Sequence, residues 1–222
     1  RFQATALAGE NTEAAESFRT VVSALSYAAV KEGHEGAQVF LLSSCVPSEG
    51  KSTVAANLAV ALAREGHRTL LIDCDLRRPT AHAFFVGAHN AAGVAELLAG
   101  RKSLEESLQA SGVEGLALLA AGARVPNPGH VVGSQALAAL LLRLRGEYDR
   151  IVLDGPPALV VNDGLLLAAR ADHLLLVAAA GESTRRALSA AAERMEAHGV
   201  EPLGVVLNKA ETDSGRYRAY YA

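Results

Sequence analysis

The stretch Val39–Thr53, VFLLSSCVPSEGKST, carries the strongest structural signal in this chain of 222 residues. Its first four residues are continuously apolar, which is typical of a parallel strand covered on both faces. Pro47 then leads through a short polar turn into Lys51, after which apolar residues recur at helical spacing until Gly66. The stretch therefore predicts a strand, a phosphate-binding loop and a helix.

The predicted loop carries the groups that bind nucleotide phosphates. We expect the backbone N–H groups of five successive residues to surround the phosphates at the positive end of the helix. These residues are Ser48, Glu49, Gly50, Lys51 and Ser52. The side chain of Lys51 would reach the β- and γ-phosphates, and the hydroxyl of Ser52 would ligate Mg²⁺. Such a loop indicates that the protein binds ATP or GTP.

One position departs from the full phosphate-loop pattern. Cys45 stands where that pattern has its first glycine, so an ordinary strand-to-helix loop is the alternative interpretation. The phosphate loop is favoured because the turn lies between a buried strand and a helix start, and because acidic strand ends follow further along the chain.

Acidic residues end two further buried strands. Thr69–Ile72 leads into Asp73 and Asp75, and Ile151–Leu153 leads into Asp154. Since ligands of α/β sheets bind at the carboxyl ends of the strands, we expect the three acids to meet at one crevice. There they can hold hydrated Mg²⁺ or accept a proton from an attacking hydroxyl. For the first two acids, a capped turn is the alternative interpretation.

The rest of the chain alternates between helical and strand patterns. Helices are predicted at 11–30, 134–145, 163–170 and 183–198, two short helices within 93–110, and strands at 116–119, 173–177 and 203–207. Two prolines predict an irregular loop at 122–128. This alternation predicts an α/β fold with a doubly wound, mostly parallel sheet.

Composition excludes several classes of function. Half of the residues are hydrophobic and the formal net charge is −3, which suits one sizeable core and gives no electrostatic footprint for nucleic acid. No apolar run approaches the roughly 20 residues of a membrane span. The chain begins at Arg1 and could be part of something longer. Cys45 and Cys74 are expected to be small buried side chains in a reducing cytosol.

We divide the chain into a domain at 1–209, which includes the N-terminal helix and linker at 1–36, and a flexible tail at 210–222. Three of the five tyrosines lie in this tail, at Tyr217, Tyr220 and Tyr221. Because flexible tails are usually poor in aromatic residues, the cluster indicates a role in chemistry or docking. Just before the tail, Asn208 and Lys209 could contact the edge of a nucleobase, with a polar turn as the alternative.

Taken together, these motifs resemble those of the bacterial tyrosine kinases of exopolysaccharide and capsule systems, over essentially the whole chain. VPSEGKST resembles the Walker A motif of that family, LLIDCDLRRP its Walker A′ motif, and RIVLDGPP its Walker B motif. VPNP at 125–128, GVVLNK at 204–209 and the terminal tyrosines also resemble family segments. The resemblance implies a P-loop NTPase fold of the MinD/ParA-like type.

The resemblance also implies roles for individual residues. Lys51 would neutralise the transferring phosphoryl group of ATP, and Thr53 would bond an inner phosphate. Ser52 would ligate Mg²⁺, which Asp154 would hold through water. Asp73 and Asp75 would lie near the metal and one of them, with Asp73 preferred, would accept the proton of the incoming tyrosine. Arg77 and Arg78 could steer a phosphotyrosine or an acidic tail, with plain surface as the alternative.

A further part of the resemblance concerns assembly. Glu16 and Arg19 match the start of the family motif Glu-x-x-Arg-x-x-Arg, whereas Val22 replaces its second arginine. The resemblance implies a ring-type homo-oligomer, which this replacement would weaken, with autophosphorylation of the tail mainly between subunits. It also implies a cytoplasmic location at the inner face of the cell membrane, a transmembrane co-polymerase partner, fused or separate, a protein-tyrosine phosphatase, and regulation of polysaccharide polymerisation and export.

Two other functions fit parts of the sequence. A partitioning or positioning ATPase of the MinD/ParA type would act as a nucleotide-dependent switch, but Val46 stands where those proteins carry an extra lysine. A catalytically dead scaffold is less compatible with the intact lysine and acids. For the kinase, we expect Lys51→Met to abolish transfer with little change in stability, because the strands of the fold are apolar.

Overall fold

The computed structural model describes residues 12–31 and 36–211 of the chain. The secondary structure follows the order α1 (Glu13–Lys31), β1 (Gln38–Ser44), α2 (Lys51–Arg64), β2 (Thr69–Asp73), a 3-10 helix (Ala81–Phe84), α3 (Val94–Leu98), α4 (Leu104–Ser107), β3 (Leu108–Ala110), β4 (Leu116–Leu119), α5 (Pro128–Gly133), α6 (Gln135–Leu144), β5 (Arg150–Asp154), α7 (Asp163–Ala168), β6 (His173–Ala179), α8 (Arg185–Glu196) and β7 (Pro202–Asn208). The tail tyrosines Tyr217, Tyr220 and Tyr221 lie outside the described residues.

Seven strands form one sheet in the order β3-β4-β2-β5-β1-β6-β7. All neighbouring strands are parallel except β3, which pairs antiparallel with β4. The prediction of an α/β fold with a mostly parallel sheet is therefore confirmed. Because β1 lies inside the sheet, its carboxyl end has strands on both sides, which is where α/β sheets bind their ligands.

Both faces of β1 are buried, as its unbroken apolar run predicts. Val39 and Leu41 pack into a core cluster with α6, whereas Phe40 and Leu42 pack on the opposite face against α2. Cys45 and Cys74 are buried free cysteines, as expected. Burial of the phosphate-loop strand on both faces keeps the carboxyl end of β1, and the loop that follows it, in a fixed position.

Two short elements differ from the sequence-based expectation. Residues 108–110, predicted as the end of a helical stretch, form the edge strand β3. Helix α4 ends at Ser107, and a strand of three residues is too short to be recognised from a periodicity in the sequence. The loop predicted at 122–128 is shorter, since α5 begins at Pro128. Proline suits the first turn of a helix, where its missing N–H has no intrahelical partner.

Helix α1 packs against α2. Val22 and Leu25 are each only 4% exposed and join the core cluster of α2, whereas Glu16 and Arg19 form an ion pair on a partly exposed face. Val22 is thus a core residue of this chain. None of the described helices is long and apolar enough to cross a membrane.

Candidate functional site

The loop between β1 and α2 adopts a conformation that places backbone N–H groups at the start of α2. Gly50 precedes the helix with φ +88° and Ser48 has φ +72°. No described side chain caps the N-terminus of α2, so its first N–H groups are available to an anion. A Cβ atom at Gly50 would lie 2.0 Å from Asn208 Nδ2, so the close approach requires glycine.

The carboxylate of Glu49 holds the loop and does not face a ligand. It is 2% exposed and accepts hydrogen bonds from the Val46 N–H group at 2.8 Å and from the hydroxyl of Ser183. Only the backbone of Glu49 can therefore contribute to the predicted phosphate contacts. Ser183 lies beyond the end of β6, and nothing in its local sequence indicates this role.

The residues that follow β7 also reach the loop. Asn208 donates from Nδ2 to the carbonyl oxygen of Glu49 at 2.9 Å. Lys209 donates from Nζ to the carbonyl oxygen of Ser48 at 3.0 Å and pairs with Glu182 at 2.9 Å. The structure thus brings Asn208, predicted to contact a nucleobase, to the β7 side of the phosphate loop.

Lys51, the first residue of α2, lies among the acids. Its ammonium group is 2.5 Å from Asp154 Oδ1 and 3.7 Å from Asp75 Oδ2, and the residue is 7% exposed. Burial by itself would lower the pKa of Lys51, but the carboxylates of Asp154 and Asp75 outweigh it and raise the pKa. The lysine therefore carries its positive charge inside the protein.

Asp73 and Asp75 have different surroundings. Asp73 is fully buried, and its carboxylate accepts the N–H groups of Asp75, Thr80 and Ala81 at 3.0–3.2 Å. Burial, followed by the charge of Asp154, raises the pKa of Asp73 to about 8. Asp75 instead lines an open cleft beside Lys51, and burial raises its pKa as well.

Two oxygens at the site fit a divalent cation. Asp154 Oδ2 is buried and has no hydrogen-bond partner among the described residues, and the Ser52 hydroxyl lies 3.3 Å from Lys51 Nζ. In the described ranges, no group of three His, Cys, Asp or Glu side chains could hold a metal by itself. Mg²⁺ at nucleotide sites takes only one or two carboxylates together with phosphate oxygens and water, so Ser52 and Asp154 suit this ion.

A cleft of about 620 Å³ extends from the phosphate loop across the ends of β5 and β2. Its walls combine polar groups of the loop with apolar residues of the neighbouring loops. They are formed by Ser44, Pro47, Ser48, Gly50, Lys51, Ser52, Thr53, Asp75, Arg77, Arg78, Thr80, Ala83, Phe84, Pro156, Pro157, Val160 and Val161. The volume lies in the range of small-molecule sites, and the predicted residues Ser48, Lys51, Ser52, Thr53 and Asp75 all line it.

The chain is similar to known proteins along most of its length. A family model described as an AAA domain matches residues 48–194. Tyrosine-protein kinase YwqD of Bacillus subtilis is 35% identical over 93% of this chain and 85% of its own length. The putative tyrosine-protein kinase EpsB of Ralstonia nicotianae is 34% identical over 91% of this chain, which spans only 26% of that longer protein.

Solved structures extend the similarity to three dimensions. The chimerical protein CapA2B2 has a TM-score of 0.88 and 31% identity, covering 95% of this chain and 93% of the other. The septum site-determining protein MinD from Pyrococcus horikoshii, complexed with Mg-ADP, has a TM-score of 0.65 and 22% identity, covering 82% of this chain and 76% of the other. The second likeness shows the shared P-loop NTPase fold alone.

Proposed function

Since this chain belongs to the bacterial tyrosine kinases, we propose that it transfers the γ-phosphoryl group of ATP to the tyrosines of its own C-terminal tail, mainly between copies. The observation that carries this proposal is the position of Lys51. Its ammonium group lies at the N-terminus of α2 and contacts both Asp154 and Asp75. A positive charge, an acid oxygen without a hydrogen-bond partner among the described residues, and the carboxylate of Asp75 in the cleft wall thus converge where the phosphates would bind.

The proposed transfer divides the work among the loop and the acids. The N–H groups of the phosphate loop and of the first turn of α2 bind the phosphates, with Thr53 at an inner phosphate, and Lys51 stabilises the charge on the transferring group. The Pγ–O bond to ADP breaks as a bond from Pγ to the tyrosine oxygen forms, and Asp75 accepts the hydroxyl proton. Ser52, and Asp154 through water, would hold Mg²⁺, which would supply positive charge next to the phosphates.

The geometry favours Asp75 over Asp73 as the proton acceptor. A general base must reach the hydroxyl of its substrate, and Asp75 lines the cleft. Asp73 is not among the cleft residues, and its oxygens accept three backbone N–H groups. Asp73 would therefore act by holding the turn that follows β2 beside the metal, while Asn208 would mark the nucleobase side of the loop.

The proposed transfer between copies rests on the length of the tail. About eight residues separate Lys209 from Tyr217, a reach of roughly 25 Å when extended and far less when the chain doubles back. Lys209 bonds to the phosphate loop, so a tail serving its own site would have to fold back sharply. A neighbouring copy, held through the α1 face that bears Glu16 and Arg19, can be approached with the tail extended.

The proposed biological role is control of exopolysaccharide or capsule polymerisation and export at the inner face of the cell membrane. The chain would work with a transmembrane co-polymerase segment, fused or separate, and a protein-tyrosine phosphatase would reverse the modification. Phosphorylation adds up to two negative charges to each tyrosine. The modified tail would be repelled by the acidic metal site, which favours release of the tail and loosens the ring.

The test mixes two variants in the presence of Mg²⁺ and ATP. One chain carries Asp75→Asn and keeps its tyrosines, and the other is active but has Phe at the three tail positions. Mass spectrometry should find phosphate on the Asp75→Asn tail in the mixture and none when that chain is incubated alone. A wild-type chain that never labels its tyrosines overturns the kinase proposal. An unlabelled Asp75→Asn chain, mixed where the two co-assemble, overturns transfer between copies only.

A further inference from the structure

The cleft has an apolar half that the nucleotide chemistry does not explain. Its walls come from the loop after β5 and from the 3-10 helix after β2. We call this half the acceptor subsite and define it by Ala83, Phe84, Pro156, Pro157, Val160 and Val161. Phe84 is 6% exposed and forms a packed wall, whereas Val160 is 56% exposed at the rim. The subsite is therefore a fixed apolar surface with an open edge.

Strand order places this subsite on one side of the phosphate loop. In the sheet, β5 and β2 lie on one side of β1, and β6 and β7 lie on the other. Asn208, at the end of β7, contacts the loop from the second side. The apolar half thus lies opposite Asn208, and Asp75, which lines the same cleft, lies 3.7 Å from Lys51. A group placed in the apolar half would face the proposed base.

Two arginines border the subsite, and they differ in what holds them. Arg77 forms two hydrogen bonds to the carboxylate of Asp163, at 2.8 and 3.2 Å. The guanidinium of Arg78 has no ion pair with any described residue, although the residue lines the cleft. The backbone N–H group of Arg78 donates to Asp75 Oδ1 at 3.1 Å, which fixes its Cα beside the proposed base. Arg78 is thus a cation of the cleft wall whose backbone is held by the proposed base.

We propose that the apolar half binds the ring of the acceptor tyrosine, and that Arg78 selects acceptors with an anionic group beside that tyrosine. This assignment rests on the proposed function and deepens it by naming the class of acceptor. An aromatic ring suits the apolar wall of Phe84 and Val160 and directs its hydroxyl toward Asp75. A carboxylate or a phosphotyrosine on the adjacent residue would pair with the guanidinium of Arg78.

The tail sequence predicts the order in which its tyrosines are modified. Tyr220 and Tyr221 are adjacent, whereas Tyr217 stands between Arg216 and Arg218. Phosphorylation of Tyr221 would place an anion beside Tyr220 and improve it as an acceptor. The two arginines that flank Tyr217 would be repelled by Arg78. We therefore expect the adjacent pair to be modified before Tyr217.

The experiment uses Asp75→Asn chains as acceptors and the active chain with a tyrosine-free tail as the enzyme. Three acceptors carry Tyr217→Phe and differ at residue 221, which is Glu, Phe or the native tyrosine. The first two compare a carboxylate with a neutral ring, and in the third, phosphorylation of Tyr221 supplies the anion. The rate of phosphorylation of Tyr220 is measured by mass spectrometry at acceptor concentrations below saturation.

We expect the acceptor with Glu at residue 221 to be modified about tenfold faster than the acceptor with Phe, because a charge-assisted contact is worth about one such factor. Tyr220 of the third acceptor should gain the same advantage once Tyr221 is phosphorylated. Arg78→Gln in the enzyme should remove this preference, and Arg64→Gln, at the far end of α2, should keep it. If Glu at residue 221 does not accelerate modification of Tyr220 but phosphorylation of Tyr221 does, Arg78 recognises a phosphate group and not a carboxylate. Equal rates for all acceptors, or a preference that survives Arg78→Gln, overturn the role of Arg78.

The apolar wall is tested separately in the same assay. Val160→Ser in the enzyme should raise the KM for all three acceptors about threefold to fivefold and leave their ratio unchanged, since only apolar contact with the ring is lost. Val86→Ser is the matched control, because Val86 is 79% exposed and lies outside the cleft. An unchanged KM with Val160→Ser overturns the ring subsite. If the wild-type chain labels its own tail but the enzyme with the tyrosine-free tail leaves every acceptor unlabelled, transfer between copies is overturned. This assignment is then overturned with it.

Discussion

Lys209 donates a hydrogen bond from Nζ to the carbonyl oxygen of Ser48, 3.0 Å away, and both residues have left-handed backbone conformations. Their φ angles are +57° and +72°, and in residues 12–31 and 36–211 they are the non-glycine residues with positive φ. Such conformations are held by their surroundings. The turn after β7 and the phosphate loop therefore hold each other in place.

Lys209→Met should weaken nucleotide binding by about fivefold, because the loss of one hydrogen bond, worth on the order of 1 kcal/mol, leaves the Ser48 carbonyl less constrained. Isothermal titration with Mg²⁺ and ATP measures the affinity. Glu182→Gln is the control, since it removes the ion pair to Lys209 but leaves the bond to Ser48. Equal affinity of Lys209→Met and wild type would show that the loop holds its conformation without this contact.

Lys51→Met should lower transfer by about 100- to 1,000-fold, the usual effect of removing one group that stabilises the transition state. The sequence alone predicts little change in stability for this variant, whereas the structure predicts a loss. Asp154 is fully buried beside Lys51, so removal of the cation should cost about 3–5 kcal/mol in the free energy of unfolding. Urea titration measures this loss, and adding Asp154→Asn should recover most of it. A variant as stable as wild type contradicts the buried pair.

Asp75→Asn and Asp73→Asn should separate catalysis from stability. Asp75→Asn should reduce transfer by about 100- to 10,000-fold, as expected for loss of a general base, with nucleotide binding retained. Asp73→Asn should reduce transfer much less and should change the free energy of unfolding, since an amide offers one acceptor oxygen to three N–H groups and replaces a carboxyl whose pKa burial raises to about 8. Single-turnover kinetics and urea titration make the comparison. The reverse pattern would return the role of base to Asp73.

Glu16→Ala combined with Arg19→Ala should weaken assembly and barely affect the fold. The two side chains pair within α1 and are 34% and 41% exposed, so the pair contributes no more than about 0.5 kcal/mol to the monomer. Light scattering over a range of concentrations should show a shift of the double variant toward the monomer, with an unfolding curve close to that of wild type. A ring that persists unchanged removes this helix face from the interface.

Asp172 gives a stability effect that depends on pH. Its carboxylate accepts one hydrogen bond from Arg145 Nη2 at 2.8 Å, forms an ion pair with Arg145 Nη1 at 2.8 Å, and accepts the Val39 N–H group at 2.7 Å. Burial would raise the pKa of Asp172, but these bonds outweigh it and lower the pKa below the ordinary 3.8. The stabilisation is therefore present above pH 3.8 and lost as pH falls through the lower folded value.

Asp172→Asn should accordingly lower the free energy of unfolding by about 1–3 kcal/mol at pH 7, and this difference should shrink as the pH falls below 3.8. Urea titrations across this range measure it. Glu147→Gln is the matched control, because the pair of Glu147 with Arg143 is exposed and should contribute less than about 0.5 kcal/mol. A difference that is constant with pH would mean that Asp172 acts without its charge.

Sequence patterns predicted the parts of the fold that depend on local chemistry. The buried run of β1, the Gly-Lys-Ser turn and the acids Asp73 and Asp154 at strand ends are all local features, and the structure places them together. Ser183 and Glu49 meet across 134 residues of sequence, and neither has a local pattern that indicates the pair. The difference between Asp73 and Asp75 also depends on three-dimensional burial, which two acids separated by one residue cannot reveal.

Asp73 and Asp154 are register partners in neighbouring parallel strands, and the N–H group of Cys74 donates to the carbonyl oxygen of Asp154 at 2.9 Å. The spacing of the two acids is thus determined by the sheet ladder. An insertion or deletion of one residue within β2 or β5 would turn one acid to the opposite face of the sheet. Length changes in this protein can therefore be accommodated between its strands, whereas along these two strands its residue count is fixed.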